Sequence, residues 1–275
     1  MPELPEVENA RRYLVRAGLP GRTFTRVKVG WHKTVQTPSL EEFVLGLTGA
    51  VVNTVNRRGK YILLPLSMGV STGWEPPTLI IHLGMTGGLR IQPEDHPSHP
   101  LVRHVLSLDD GRELRFIDGR KFGKLWLAEE AGAVLPALGP EPLGDDFTLD
   151  ALAGSLGKRG SPIKALLLEQ SIVAGMGNLY ADEALFLSGI HPLRPAWDLA
   201  PEELSRLREG IMAAFQHAVS AYDRSRDDCW PDPPMGLMTW TIPRRRGEAC
   251  PKCGGPISAI RVRGRGTCFC PHCQR

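Results

Sequence analysis

Residues 250–273 read CPKCGGPISAIRVRGRGTCFCPHC and contain two Cys-x-x-Cys pairs, Cys250 with Cys253 and Cys270 with Cys273. Each pair offers two thiolates to one tetrahedral ion, and the intervening Ile257–Phe269 segment can pair as a β-hairpin. Because four thiolates leave no position open for water, the spacing predicts one structural Zn²⁺ ion. Two disulfides are the alternative, which the lack of a secretory signal disfavours because thiols then stay reduced.

Two further cysteines, Cys229 and Cys268, lie outside these pairs. Cys268 is close enough in sequence to share a strand face with Cys270. The paired arrangement nevertheless predicts that neither additional cysteine is a metal ligand.

Basic residues are concentrated in the same region. Residues 241–275 carry eight Lys or Arg side chains and one acidic side chain, a net charge of +7, whereas the whole chain has a net charge of only +3. A basic module on a mildly acidic body indicates a polyanionic partner, most often nucleic acid. A solvated basic tail is the alternative interpretation.

The length of 275 residues and the hydrophobic content of 42% are sufficient for two domains with real cores. No run approaches the roughly 20 consecutive apolar residues that a membrane span needs. We therefore expect an intracellular, cytoplasmic protein that does not contact a membrane.

The spacing of apolar residues changes twice along the chain. Val7, Ala10 and Leu14 recur at helical spacing after Pro5, and Gly18 ends the predicted helix. Short β-branched and aromatic runs then predict an antiparallel sandwich or barrel, with strands at Phe24–Val29, Tyr61–Leu64, Leu79–Leu83, Val105–Leu108, Leu114–Ile117 and Lys124–Leu127. After a Gly- and Pro-rich stretch, helical spacing resumes at Leu149–Leu156, Ile163–Glu169, Leu179–Leu187 and Pro201–Tyr222.

These patterns predict an α+β multidomain protein. We place an N-terminal helix and β-sandwich domain at residues 1–131, a linker at 132–147, a helical domain at 148–240 and a zinc finger hairpin at 241–275. Residues 223–238 mix prolines and glycines with charged residues and are predicted to form a loop.

The chain opens Met1-Pro2-Glu3-Leu4-Pro5-Glu6, which contains an unusual candidate nucleophile. Removal of Met1 would expose the secondary amine of Pro2, and an α-amino group has a pKa of about 7.7–8.0 against about 10.4 for lysine. Attack of this amine on a sugar C1′ gives an iminium ion that promotes β-elimination. Glu3 is placed to act as a general acid or proton shuttle. Helix capping is the alternative role of the same residues.

Five motifs follow one another in a characteristic order: Met1-Pro2-Glu3-Leu4-Pro5-Glu6, Arg57-Arg58-Gly59-Lys60-Tyr61, His82-Leu83-Gly84-Met85, Gly175-Met176-Gly177-Asn178-Leu179-Tyr180-Ala181 and the four-cysteine finger. In this combination the sequence resembles the formamidopyrimidine-DNA glycosylase family. Leu4 is similar to that branch rather than to the endonuclease VIII branch, which usually carries glycine there. The resemblance implies an N-terminal helix on a β-sandwich, a helix–two-turn–helix domain and a zinc finger, with DNA bound between them.

The resemblance also implies the residues of the active site. Pro2 and Glu3 match the catalytic nucleophile and acid, and Lys60 matches a lysine that binds a phosphate beside the flipped nucleotide. Arg265 matches an arginine of the finger, where a fork-shaped guanidinium suits a bidentate phosphate contact.

Other matched positions are implied to contact DNA. Met85 and Phe122 would fill the gap that a flipped base leaves, and Arg120 would donate to the orphaned opposite base. Asn178, at the start of a helix, would help to bind a phosphate. His82 either contacts a phosphate or is a satisfied strand histidine. A further match, Glu183, is a carboxylate near the family's active site or a brace for its helix.

The implied activity is that of a bifunctional glycosylase and abasic-site lyase of base excision repair. It would excise oxidised purines, namely formamidopyrimidine and 8-oxoguanine, through a Schiff base at C1′ followed by β- and δ-elimination. We expect damaged double-stranded DNA as the partner, no small-molecule cofactor and a monomeric enzyme.

Two departures from the family's pattern bear on specificity. Lys121 replaces the second arginine of the usual Arg-Arg-Phe-Gly run, and residues 223–240 differ from the loop that covers the flipped base. Because that loop selects the base, oxidised pyrimidines or bulkier lesions stay open as substrates. A catalytically silent protein that binds damaged DNA is a further alternative.

Overall fold

The computed structural model describes residues 1–68, 77–224 and 240–275. Within them the chain forms two compact units, which divide after Pro136. The first unit contains α1 (Leu4–Arg16), β1 (Phe24–Val29), β2 (Val35–Thr37), α2 (Leu40–Leu47), β3 (Ala50–Val52), β4 (Asn56–Arg58), β5 (Tyr61–Met68), β6 (Thr78–His82), β7 (Gly88–Pro93), β8 (Val102–Leu108), β9 (Arg112–Ile117) and β10 (Lys124–Ala128). The second contains α3 (Leu149–Leu156), α4 (Ile163–Leu167), α5 (Asn178–Ser188), α6 (Pro201–Arg224), β11 (Ser258–Val262) and β12 (Arg265–Phe269).

The first unit is a β-sandwich with α1 packed against it. One sheet has the strand order β1-β8-β9-β7, and the other has the order β2-β10-β6-β5-β3, with β4 paired to β5. Alternating burial along β5 shows one face turned to the core, as strand geometry requires. Side chains from both sheets, α1 and α2 form one buried apolar cluster. The predicted sandwich is confirmed, with one pair, β2 and β10, running parallel.

Helix α1 begins where the sequence predicts and buries Leu4, Val7, Ala10 and Leu14. Its first turn is a capping box in which the Glu3 amide donates to Glu6 Oε2 at 2.8 Å. The helix ends before Gly18, which has φ of +72°. The reciprocal cap fixes the backbone that follows Pro2.

Helix α2 is absent from the sequence-based prediction, although its start has a recognisable pattern. Ser39 and Glu42 form a second capping box, with the Glu42 amide 3.3 Å from Ser39 Oγ and the Ser39 amide 3.1 Å from Glu42 Oε2. The helix buries Phe43 and Leu47 in the sandwich core. The Ser-x-x-Glu pattern at residues 39–42 therefore could have predicted the start of this helix.

The second unit packs helices around α5. Gly210 of α6 allows close approach, because a Cβ there would lie 2.8 Å from the carbonyl oxygen of Ala184 on α5. The rings of Tyr180 and Phe215 stack at a centroid distance of 5.1 Å. Phe186 of α5 lies in one apolar cluster with residues of the C-terminal finger. The helices and the finger thus share part of one core.

Strands β11 and β12 form the predicted hairpin. Val262 pairs with Arg265 across a two-residue turn in which Arg263 and Gly264 have φ of +47° and +72°. Both values suit a tight hairpin turn of the type that right-twisted strands prefer. Among the described residues, none of the helices combines the length and apolar character needed to cross a bilayer.

Candidate active site, nucleic-acid contacts and metal centre

Pro2 and Glu3 lie at the start of α1. Pro2 is buried, Glu3 is 2% exposed, and Met1 is 47% exposed. With Met1 attached, the Pro2 nitrogen is part of an amide and has no lone pair available for attack. Glu3 is the N-cap of α1, so the capping role and the position next to Pro2 occur together.

Lys60 follows Gly59 in the turn between β4 and β5, where Gly59 has φ of +53°. Lys60 is 7% exposed. A buried ammonium is retained where it has partners. Lys60 is thus a largely enclosed cation in the first unit.

An ion cluster that the sequence analysis missed joins α1 to β4. Glu8 Oε2 lies 3.1 Å from Arg57 Nε, and Glu8 Oε1 accepts from Arg11 and Arg12, each at 2.8 Å. Burial opposes ionisation of Glu8, but hydrogen bonds from Arg11 and Arg12 and the nearby Arg57 prevail and lower its pKa to about 2. Arg57 lies 49 residues from Glu8, so no local pattern predicts this contact.

His82, at the end of β6, is a neutral imidazole. Burial lowers its pKa to about 4, and the positive charges of Lys60 and Lys124 act in the same direction. Its Nδ1 accepts from the Gly84 amide at 3.1 Å. Because Nδ1 is the acceptor, Nε2 carries the proton and is the donor.

Met85, Arg120 and Phe122 lie on two neighbouring loops of the first unit. The turn at residues 83–87 contacts the loop at residues 118–123, because a Cβ on Gly84 would lie 2.5 Å from the carbonyl carbon of Phe122. Gly84 also has φ of +67°. Only glycine fits this contact, which places the two predicted gap-filling side chains on neighbouring loops.

Asp118 organises both loops from beneath. It is fully buried, and its carboxylate accepts from Thr86 Oγ1 at 2.7 Å, the Arg120 amide at 3.1 Å and the Gly123 amide at 2.8 Å. Above it, Phe122 is 51% exposed, and the Arg120 guanidinium lies 5.0 Å from the centre of its ring. An apolar ring therefore projects beside an exposed cation from a rigid base.

In the second unit, Asn178 begins α5 and contacts the finger. Its Nδ2 donates to the Gly266 carbonyl at 3.0 Å, while its buried Oδ1 has no hydrogen-bond partner among the described residues. Gln170 braces the preceding turn by accepting from the Gly175 amide at 3.0 Å and donating to the Met176 carbonyl at 2.7 Å. Arg265 is exposed and adjoins Gly266 in sequence. Asn178 and the start of β12 are thus in direct contact.

Beneath this place, α4 and α5 hold the finger through a buried ion pair. Lys164 is fully buried and lies 2.5 Å from Asp182 Oδ1, and it donates to Thr267 Oγ1 at 2.6 Å. Asp182 Oδ2 accepts from the Cys268 amide at 3.2 Å and lies 3.2 Å from Arg244. Burial lowers the pKa of Lys164 and raises that of Asp182, each opposed by the partner's charge.

Glu183 accepts from the amides of Thr241 and Ile242 at 2.7 and 3.2 Å. Both of its carboxylate oxygens are therefore engaged with the segment that enters the finger. Glu183 thus connects α5 to residues 241 and 242.

The metal centre consists of Cys250, Cys253, Cys270 and Cys273, whose sulfur atoms all lie within 4.8 Å of one another. The Sγ atoms of Cys250 and Cys273 are 3.9 Å apart, and those of Cys253 and Cys270 are 3.6 Å apart. Four sulfurs at about 2.3 Å from a tetrahedral Zn²⁺ ion lie about 3.8 Å from each other, so the four thiols fit that ion. The predicted structural zinc site is confirmed.

Of the two remaining cysteines, Cys268 is not part of this group. Burial and the negative charge of Asp182 raise the pKa of its thiol, which disfavours the thiolate that a metal needs. Cys229 lies outside the described residues, as does most of the predicted 223–240 loop.

Three family models match this sequence in chain order. The formamidopyrimidine-DNA glycosylase N-terminal domain matches residues 1–125, and the H2TH domain of the same enzymes matches residues 138–227. The zinc finger found in FPG and IleRS matches residues 247–275.

Similar proteins cover the whole chain. Formamidopyrimidine-DNA glycosylases from Herpetosiphon aurantiacus and a Roseiflexus species are each 42% identical, over 288 and 281 residues, with all of both chains covered. The structure of Lactococcus lactis Fpg (MutM) bound to DNA that contains N7-benzyl-Fapy-dG has a TM-score of 0.88 and 33% identity, with full coverage of both chains. MutM from Thermus thermophilus has a TM-score of 0.83 and 37% identity, with 99% and 98% covered. The chain therefore belongs to the formamidopyrimidine-DNA glycosylase family.

Proposed function

We propose that this protein is a bifunctional DNA glycosylase and abasic-site lyase of base excision repair, with the imino terminus of Pro2 as its nucleophile. The observation that carries the proposal is the arrangement of Pro2 and Glu3 at a buried helix start, in a chain of this family. Relatives with 33% identity bind DNA that contains Fapy-dG derivatives or carbocyclic 8-oxoguanine. These support oxidised purines as the substrate class.

The chemistry begins when Met1 is removed and the Pro2 nitrogen becomes a secondary amine. Its lone pair attacks C1′ of the damaged nucleotide, and the glycosidic bond breaks with its electron pair on the departing base. Glu3 protonates the ring oxygen as this displacement proceeds, so that loss of the base depends on the Glu3 proton. The Pro2 nitrogen gives up its N–H proton, and the C1′–O4′ bond breaks as the nitrogen lone pair forms the C=N bond. The resulting iminium ion at C1′ withdraws electrons, so a C2′ proton is lost and the 3′-phosphate leaves by β-elimination. A second elimination releases the 5′-phosphate.

Access to C1′ requires the nucleotide to leave the duplex, which costs a few kcal/mol of stacking and pairing. We assign Met85 and Phe122 to the vacated space and Arg120 to the unpaired opposite base. Their support is the exposure of Phe122 and the adjacent position of Arg120 on loops held by Asp118.

The phosphate contacts are assigned to residues of both units. In the first unit, Lys60 offers an ammonium, and neutral His82 offers its Nε2–H. In the second unit, Asn178 and the exposed Arg265 offer donors near the start of α5. Charge on Lys60 and Arg265 makes binding salt-dependent, with a log–log slope of about −0.9 for each phosphate neutralised.

Zinc supplies structure to this scheme and takes no chemical step, since four thiolates fill its coordination sphere. Cys250, Cys253, Cys270 and Cys273 enclose the hairpin that carries Arg265. The proposal also includes a monomeric, cytoplasmic enzyme without a small-molecule cofactor, and the steps above use residues of one chain.

The test is reductive trapping. Purified protein, with Pro2 verified as the first residue by mass spectrometry, is incubated with a duplex that contains one abasic site and reduced with borohydride. We expect a covalent adduct of one protein per duplex. The matched control retains one residue before Pro2 and keeps the fold but forms no adduct. If the control traps as well as the trimmed protein, or if neither does, the proposal is wrong.

Glu3→Gln tests whether Glu3 supplies a proton for base release. Because the amide cannot donate an acidic proton, we expect release of an oxidised purine to slow by about 10²-fold or more. A lesion panel then ranks substrates: turnover of thymine glycol equal to that of 8-oxoguanine would replace the purine assignment with oxidised pyrimidines.

A further inference from the structure

Trp31 contacts the loop that carries Arg120 and Phe122. The ammonium of Lys121 lies 3.9 Å from the centre of the Trp31 ring, within the range of a cation–π interaction. Lys121 is also one of two described non-glycine residues with positive φ, at +59°. An L-residue is disfavoured there because its Cβ approaches the following carbonyl oxygen. An interaction of the Lys121 side chain therefore acts at a residue whose backbone conformation is strained.

Trp31 itself is anchored to the interior of the sandwich. Thr34 Oγ1 donates to the Trp31 carbonyl at 2.7 Å and lies 2.6 Å from His104 Nε2. Because the Thr34 hydroxyl has a single proton, it accepts from His104 Nε2–H. Thr34 and His104 are 1% and 2% exposed. The turn that contains Trp31 is thus anchored by two buried side chains, Thr34 and His104.

A second set of contacts ties the same turn to the base of the loop. The Gly30 amide donates to the Arg103 carbonyl at 2.7 Å, and Arg103 Nε donates to the Asp118 carbonyl at 2.8 Å. A Cβ on Gly30 would lie 2.7 Å from the Arg103 carbonyl oxygen. Arg103 therefore connects the backbone at Gly30, the residue before Trp31, to the backbone at Asp118.

We propose that Trp31 is a positioning residue: by binding the Lys121 ammonium it holds residue 121 in its left-handed conformation and sets how Arg120 and Phe122 meet the strand opposite the lesion. This inference rests on the proposed function. Its consequence is that selectivity for the opposite base depends on a residue outside the loop that reads it. Lysine at position 121 pairs with this tryptophan as a point charge above the ring.

The experiment measures kcat/KM for one oxidised purine opposite each of the four bases, and takes selectivity as the ratio of the best to the worst value. The variants are Trp31→Ala, Lys121→Ala and the double variant, with Trp31→Phe as the conservative replacement. We expect each alanine variant to lower selectivity about two- to fivefold, the range of an exposed cation–π contact. The double variant should lose no more than either single one, because both remove the same interaction.

Two further variants separate positioning from general loss of structure. Lys121→Gly lacks the ammonium but accepts positive φ freely, so it should retain more selectivity than Lys121→Ala. Lys33→Ala removes the other cation over the same ring, at 5.7 Å, and should leave selectivity and turnover unchanged. Fluorescence of 2-aminopurine placed opposite the lesion reports the geometry independently of turnover.

The outcomes distinguish the two proposals. A wild-type enzyme that forms no borohydride adduct overturns the proposed function. If the wild type is active, three results overturn only the role of Trp31: wild-type indifference to the opposite base, an unchanged ratio in Trp31→Ala, or additive losses in the double variant. A thermal unfolding transition shared by all variants confirms that each one folds.

Discussion

The Asp118 carboxylate accepts a hydrogen bond from the Gly123 amide at 2.8 Å and thereby closes the loop that presents Arg120 and Phe122. The same carboxylate reaches Thr86 on the neighbouring turn. One buried side chain thus fixes the conformation of both loops to which the DNA-distorting residues are assigned.

Replacing Asp118 by asparagine should weaken the fold and the activity together. Asparagine keeps one acceptor oxygen but turns its NH₂ toward the amide of either Gly123 or Arg120, which leaves that N–H without its acceptor, so we expect a loss of about 1–3 kcal/mol in the free energy of unfolding. Urea denaturation measures this loss, and single-turnover base release measures the effect on activity. Asp95→Asn, at an exposed position of the same unit, is the control and should stay within about 0.5 kcal/mol. An Asp118→Asn variant as stable as that control would contradict the assigned role.

Gly84→Ala tests the contact between the two loops. Alanine there meets both a positive φ and a Cβ position 2.5 Å from the Phe122 carbonyl carbon, so we expect destabilisation well above the roughly 1–2 kcal/mol of left-handed strain alone. Gly111→Ala separates the two effects, because Gly111 has φ of +79° and nothing within 4 Å of the added Cβ. Chemical denaturation of both variants gives the packing contribution by difference. Equal losses would show that the loops can separate freely.

Lys164→Met tests the buried ion pair beneath the finger. Removing the ammonium leaves Asp182 buried with an unbalanced charge, and breaking such a pair costs about 3–5 kcal/mol. Adding Asp182→Asn to the same chain should recover part of that loss, since the unpaired charge is gone. Equilibrium unfolding of the single and double variants measures both effects. A double variant less stable than Lys164→Met would show that Asp182 contributes mainly through its bonds to Cys268 and Arg244.

His104 should make stability depend on pH between 6.5 and 4. Burial lowers its pKa to about 4, with Arg103 acting in the same direction, so the unfolded chain takes up a proton at a higher pH than the folded one. Stability is then unaffected above pH 6.5 and falls as the pH drops toward 4, by about 3 kcal/mol in total. His104→Gln, which can still donate to Thr34, should make this part of the profile shallower, and the slope that remains belongs to His82, whose pKa is also lowered to about 4. Glu8 acts in a separate window, because its lowered pKa contributes stability that is lost only below about pH 4.5.

Removing zinc should release the finger from its fold. We expect metal analysis to find one zinc per chain, and expect a chelator or Cys273→Ser to reduce both the β11–β12 hairpin and the affinity for duplex DNA. The salt dependence of the remaining binding should become shallower as the Arg265 contact is lost. Cys268→Ser is the control and should keep the metal. If the protein kept its full DNA affinity without zinc, the finger would not be part of the DNA-binding surface.

The sequence predicted most of the elements and the metal centre for physical reasons that are local. Zinc ligands at Cys-x-x-Cys spacing, the apolar period of α1 and the helical period of α6 are all properties of short segments. Strands β2, β3 and β4 have only three residues each, which is too short for an alternating pattern to stand out. Their pairing is decided by longer neighbours such as β5 and β10.

The supporting residues were harder to predict than the exposed ones. A motif was enough to propose Phe122 and Arg120, but the role of Asp118 depends on bonds to both ends of a loop and to Thr86, 32 residues away. The neutral state of His82 depends first on its burial in the folded sheet, which lowers its pKa, and then on Lys60 and Lys124 coming near it. Such effects arise from contacts across strands, which a linear pattern does not contain.

The buried start of α1 has a practical consequence for anyone who produces this protein. An affinity tag or fusion partner at the amino end would leave the capping box of Glu3 and Glu6, and hence circular dichroism and melting behaviour, essentially normal. Under the proposed mechanism such a preparation would be well folded but inactive, and spectroscopy would not detect the loss. The amino-terminal residue of every inactive variant must therefore be determined before the inactivity is attributed to its mutation.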